Sequence, residues 1–240
     1  MRRALSLFAV AGVALLIAAT GAAEPRDSVS RMFPVYDNGG LSDLTVDPQR
    51  FTAQMEIVDR VFSADSCELI EGSINAAGVR RILRFDTVLI NGGQTLFVGS
   101  PTDRKGEYYR VFEFSPCHNH YHITGFADYR LLNMDRTLAI AGHKQAFCFI
   151  SSFKYSNDLN GQDKPNFSCS NQGIASGYGD WYYKQLSGQW IDITGVPKGD
   201  YIVQVTINAA GTFPEGQNRY PNVIETTVHV PDPRNKVSTG

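Results

Sequence analysis

The chain has 240 residues, 22 basic against 24 acidic side chains, and a formal charge of −2. That near-balance excludes the strongly basic class of proteins that hold nucleic acid through its phosphates. The length suffices for one domain with a sizeable core. Met1-Arg2-Arg3 is a short basic head, Ala4 to Thr20 is almost wholly apolar, and Gly21-Ala22-Ala23 are the small residues a signal peptidase accepts. This pattern predicts a secretory signal over 1–23, cleaved after Ala23, and a secreted or periplasmic protein. The alternative is an uncleaved anchor, for which the apolar run is short against a bilayer of ~30 Å. No later segment approaches a membrane span. Loss of Arg2 and Arg3 leaves 20 basic against 24 acidic residues, a charge of −4.

Residues 24–52 hold Pro, Gly, Asp and Ser with little periodicity and read as an extended or poorly ordered leader. From Ala53 to about 232 the chain is a series of short β-type runs. MEIVDRVF, RRILRFDTVLI, QTLFVG, YYRVFEF, YRLLN, KQAFCFI, QWIDIT, DYIVQVTI and VIETTVHV are rich in Val, Ile, Phe, Tyr and Thr, and turn sequences such as Asn-Gly-Gly and Pro-Lys-Gly-Asp interrupt them. No dozen residues carry a helical stripe. The prediction is an all-β, sandwich-like core with long irregular loops. The longest loop is 151–188, rich in Ser, Asn, Gly and Tyr, and loops of that length are often functional. Residues 233–240 read as a flexible tail.

Four cysteines, Cys67, Cys117, Cys148 and Cys169, suit two disulfides in an oxidising compartment, and sequence alone permits three pairings. The histidines are more telling. Of five in the chain, three fall in CHNHYH as His118, His120 and His122. If residues 117–122 are extended, those three share one face, since side chains two apart in a strand lie ~6.6 Å apart on the same side. On a helix the same spacing would spread them around the axis. Three neutral imidazoles converging on one ion suit Zn²⁺ or Cu²⁺, and the choice stays open on spacing alone. The bland alternative is a solvated polar face. His143 reads as a further ligand or a plain loop residue, and His229 as structural.

The cluster is embedded in a longer ordered set: FEFSPCHNHYHITGFADYRLL, then AGHKQAFC, SGYGDWYY and QWIDITGVPKGDYIVQVTIN. This set resembles the catalytic domain of the lysyl oxidase family, copper-dependent amine oxidases, over roughly residues 55–230. The resemblance implies copper on His118, His120 and His122. It implies a self-derived cofactor, lysine tyrosylquinone, built from the lysine of GHKxxFC, here Lys144, and a tyrosine of the same chain. Counting back from Gln189-Trp190 without a gap places that tyrosine at Tyr182, with Tyr178 and Tyr183 as rivals. It implies the disulfides Cys67–Cys117 and Cys148–Cys169, and a β-sandwich fold. Ser73 stands where animal members carry a further cysteine. Ser115 and Asp128 stand where they carry histidines, the second of them a candidate base, so Asp128 is the first candidate base here and Asp180 the second.

Two functions follow. One is a secreted copper amine oxidase that turns primary amines, including peptidyl lysine, into aldehydes with O₂, releasing ammonia and hydrogen peroxide; its partners are a primary amine or a lysine-containing protein. The other is a non-catalytic secreted metal-binding β-sandwich holding copper or zinc. A zinc hydrolase is weaker, because the chain has no H-E-x-x-H motif and no general base placed beside the cluster.

Overall fold

The computed structural model describes residues 29, 31–142, 147–157, 159 and 166–233. The expected all-β sandwich-like architecture forms. One four-stranded sheet runs in the order Leu44–Val46, Thr87–Asn91, Tyr178–Tyr182, Phe153–Lys154; a second runs Val223–Val230, Gly199–Ile207, Ala127–Asn133, Leu138–Ala141. A three-stranded sheet joins Trp190–Asp192, Gly78–Arg84 and Glu56–Phe62, and two hairpin-sized pairs complete the set. All of these strand pairings are antiparallel.

Alternation decides which faces meet. Along Gly199–Ile207, Tyr201, Val203, Val205 and Ile207 are buried, and the residues between them are not. They join Leu44 and Leu89 of the first sheet and Leu83 and Ile191 of the third in one core. Burying each such Val, Leu or Ile contributes roughly 1.5–3 kcal/mol, so a truncation such as Leu89→Ala costs about 2–5 kcal/mol.

Two sequence expectations are corrected. The stretch before Ala53 is no loose leader where it is described. Leu44–Val46 pairs with Thr87–Asn91 as an edge strand, and Val29 and Phe33 lie in a second apolar cluster with Val88, Ile90 and Tyr220. The six-residue helix Pro48–Ala53 is capped by Asp47, whose carboxylate accepts from Gln49 N and Arg50 N, and it buries Phe51 completely. Its single apolar anchor is too short a signal for periodicity to find. The long loop 151–188 also holds structure: Tyr178–Tyr182 is an inner strand, paired on one side with Thr87–Asn91 and on the other with Phe153–Lys154. Gly179 permits that close packing, since a Cβ there would meet the Phe153 ring at 2.6 Å and Leu89 O at 2.9 Å. The signal segment 1–23 and tail residues 234–240 lie outside the described residues.

Candidate active site

The histidine strand is shorter than expected. His120–Ile123 pairs with Phe112–Ser115 in the register Ser115↔His120 and Glu113↔His122, so His120 and His122 do share a face. The chain before them is not extended. Asn119 has φ +53°, a left-handed conformation that Asn tolerates better than most residues, and His118 sits in the hairpin turn. The turn brings it back to its partners. Ring centroids are 4.7 Å apart for His120–His122, 5.1 Å for His118–His122 and 5.8 Å for His118–His120.

Hydrogen bonds set the ring chemistry. His120 Nδ1 lies 2.8 Å from His118 O. A carbonyl only accepts, so Nδ1 carries the proton, and in the neutral ring Nε2 holds the lone pair. That Nε2 is 3.0 Å from His122 Nε2. His118 Nε2 is 3.1 Å from Glu71 Oε2, and Ser115 Oγ donates to Glu71 Oε1 at 2.5 Å. Among the described residues no three His, Cys, Asp or Glu side chains already surround a common point at ligand distance. Gathering the imidazoles on one ion therefore needs side-chain rotation. As a donor set, three adjacent imidazoles, one with its distal nitrogen anchored to a backbone carbonyl, fit a borderline cation such as Cu²⁺ or Zn²⁺.

Both disulfides have the pairing that the resemblance implies, Cys67–Cys117 and Cys148–Cys169. The first ties the short helix Cys67–Ile70, capped by Ser66, to the residue preceding His118, and this places Glu71 beside the cluster. Sequence reasoning missed Glu71. The available signal was its spacing of four from Cys67, which becomes informative once Cys67 is joined to Cys117. Ser73, at the position of the absent cysteine, donates through Oγ to Glu68 O at 3.1 Å, and its carbonyl accepts from Trp190 Nε1 at 2.9 Å.

Tyr182 ends the inner strand and is 7% exposed. Its hydroxyl lies 2.7 Å from Asp180 Oδ2 and 3.0 Å from Cys148 O. One hydroxyl proton cannot fully serve two acceptors; a proton on Asp180 would satisfy both contacts. Burial acts in the same direction, pushing Asp180 up to about 6 against the lowering effect of the Ile150 N–H, which donates to Oδ2 at 3.0 Å. Burial, and then the Asp180 charge, push the Tyr182 phenol well above its ordinary value.

Phe147 links the two halves. Its carbonyl accepts from Ile123 N at 2.7 Å, at the end of the histidine strand, and its ring meets that of Tyr182 edge-on at 4.7 Å. A cleft of about 430 Å³ is lined by His118, His120, His122, Asp180 and Tyr182, with Trp181 and Tyr183 at its side. Tyr183 is 49% exposed and stacks on Trp181 at 4.6 Å, whereas Tyr178 is buried and does not line the cleft. Asp128 is also absent from that lining; it pairs with Arg130 at 2.6 Å on Ala127–Asn133. His229 pairs with Asp200 at 2.6 Å on an exposed face. His143 and Lys144 lie outside the described residues, between Gly142, whose N–H donates to Tyr129 O at 2.6 Å, and Phe147.

The family model "Lysyl oxidase" matches residues 47–239. "Lysyl oxidase homolog 2" of Homo sapiens is 32% identical over 194 residues, covering 76% of this chain and 23% of the relative. The Mus musculus protein of that name is 35% identical over 176 residues (68% and 21%), and that of Gallus gallus 39% over 136 residues (55% and 16%). The chain thus spans under a quarter of the length of these curated relatives.

Proposed function

The chain belongs to the lysyl oxidase family, and from that premise we propose that it is an exported copper amine oxidase acting on primary amines, peptidyl lysine among them. The reaction balances as amine, O₂ and water giving aldehyde, ammonia and hydrogen peroxide. Export is supported by the two disulfides, which suit an oxidising compartment; among the described residues no helix is long and apolar enough to cross a membrane.

One observation carries the reading: the three imidazoles and the buried Tyr182 line a single cleft. His118, His120 and His122 would hold copper, which when bound supplies one-electron redox chemistry with O₂. Lys144 and Tyr182 are the proposed precursors of lysine tyrosylquinone. Covalent reach supports the pair. Three Cα steps separate Lys144 from Phe147, at most about 11 Å, and the Phe147 ring touches Tyr182. Asp180 is the proposed base. It lies in the cleft with its carboxyl pushed up to about 6, where a carboxylate takes a proton more readily than at its ordinary value. Asp128, the other candidate, pairs with Arg130 and does not line that cleft.

A specific observation favours the second reading, a metal-binding domain without turnover: the Tyr182 hydroxyl is engaged by Asp180 and Cys148 O and held neutral. Copper-loaded, aerated protein separates the two. Peroxide release from any of several amines, with a Lys144–Tyr182 crosslinked peptide on mapping, supports the oxidase. Full copper occupancy with an unlinked pair and no peroxide rejects it.

A further inference from the structure

Glu71 has no role in the reading above. Its side chain is 13% exposed and lies against the His118 imidazole. A largely buried carboxylate is costly to leave without a hydrogen-bond or metal partner. The carboxylate is also aimed. Oε1 accepts from Ser115 Oγ at 2.5 Å, and that same hydroxyl accepts from His118 N at 3.1 Å. This latch leaves Oε2 directed at His118 Nε2, 3.1 Å away.

The spacing is informative. Donors about 2.0–2.2 Å from one ion sit about 2.8–3.6 Å apart for bond angles between 90° and tetrahedral. The centre contains two such donor pairs: His120 Nε2 with His122 Nε2 at 3.0 Å, and His118 Nε2 with Glu71 Oε2 at 3.1 Å. We propose that Glu71 is the fourth donor of the metal centre, giving one carboxylate oxygen to an ion held by His118, His120 and His122. The inference rests on the metal site proposed above and extends it from three nitrogens to three nitrogens and an oxygen. Side-chain torsions of His118 and Glu71 close the set. The Cys67–Cys117 bond keeps Glu71 within that range, and the Ser115 latch leaves the carboxylate monodentate.

The test is Glu71→Gln, which retains an acceptor for Ser115 but is a poor ligand. Cu²⁺ affinity is measured by chelator competition, and the Cu²⁺ spectrum by electron paramagnetic resonance. The expected result is an affinity loss of about 100-fold or more, beyond the 10–100-fold typical of outer-layer partners, together with shifted g∥ and A∥ and a retained three-nitrogen pattern. An affinity within about tenfold of wild type, or a larger loss with an unchanged spectrum, overturns the proposal, the latter because it makes Glu71 an outer partner of His118. Should the variant fail to fold, wild-type protein labelled with carbon-13 glutamate decides the matter: carboxylate coupling to Cu²⁺ supports ligation and its absence refutes it. Wild-type protein that takes up no copper overturns both this inference and the function beneath it, whereas a three-nitrogen spectrum with no carboxylate coupling overturns this inference alone.

Discussion

Replacing Asp180 by asparagine tests the buried carboxyl without emptying its place. The amide can still hydrogen-bond Tyr182 Oη and Ile150 N, the two contacts that Oδ2 makes at 2.7 and 3.0 Å. What disappears is titration. Wild-type Asp180 is raised from 3.8 to about 6 in the folded protein. Between those values the folded chain holds a proton that the unfolded chain has lost, so stability rises as pH falls through this window and is lost as pH climbs through the folded value. A shift of that size is worth about 3 kcal/mol at most, of which about 2 kcal/mol develops between pH 7 and pH 4. Urea unfolding of metal-free, disulfide-intact wild type and Asp180→Asn at pH 4, 5, 6 and 7 reads it directly. Every other titrating group cancels in the difference. Wild type should gain about 2 kcal/mol on the variant from pH 7 to pH 4. A difference flat to within about 0.5 kcal/mol, or one of opposite slope, would refute the account of a carboxyl held protonated by burial.

Other perturbations address neighbouring parts of the site. His120→Ala removes the imidazole whose Nδ1 is anchored to His118 O; it should abolish stoichiometric copper uptake and with it peroxide release, as measured by equilibrium dialysis and a coupled peroxidase assay. Lys144→Ala should eliminate reactivity toward carbonyl reagents such as phenylhydrazine while changing copper uptake less than about twofold; a variant that still oxidises an amine would invalidate the quinone assignment. The double variant Cys67→Ala/Cys117→Ala opens a loop of sequence separation 50. The chain-entropy model assigns that loop about 4 kcal/mol, or roughly 10 °C of thermal midpoint for a domain of this size. A loss under about 1 kcal/mol would mean that packing alone holds the Cys67–Ile70 helix in place.

The parts of the molecule legible from sequence are those written in periodic side chains. Val203, Val205 and Ile207 alternate and are buried, and a strand follows. Tyr178–Tyr182 is harder to read because its neighbours include Gly179 and the buried Asp180, neither typical of a strand; its place depends on Leu89 and Phe153, distant in sequence. The same distinction runs through the site. CHNHYH announces a histidine cluster, yet a straight strand is the wrong picture of it, because Asn119 reverses the chain and returns His118 by a turn. Glu71 reaches the cluster through a disulfide and a hydroxyl, contacts that carry no period. Asp128 fits the family position of a base but finds Arg130 two residues along its own strand, and no local pattern reports that this pair lies outside the cleft.

Tyr182 belongs to a strand hydrogen-bonded to a neighbour on each side, so its backbone is fixed within the sheet. Bond formation with Lys144 would then rivet the middle of a sheet to a distant stretch of backbone. Maturation would leave a protein harder to unravel than its precursor, and loss of reversibility on heating would become a sign that the chain had completed its own chemistry.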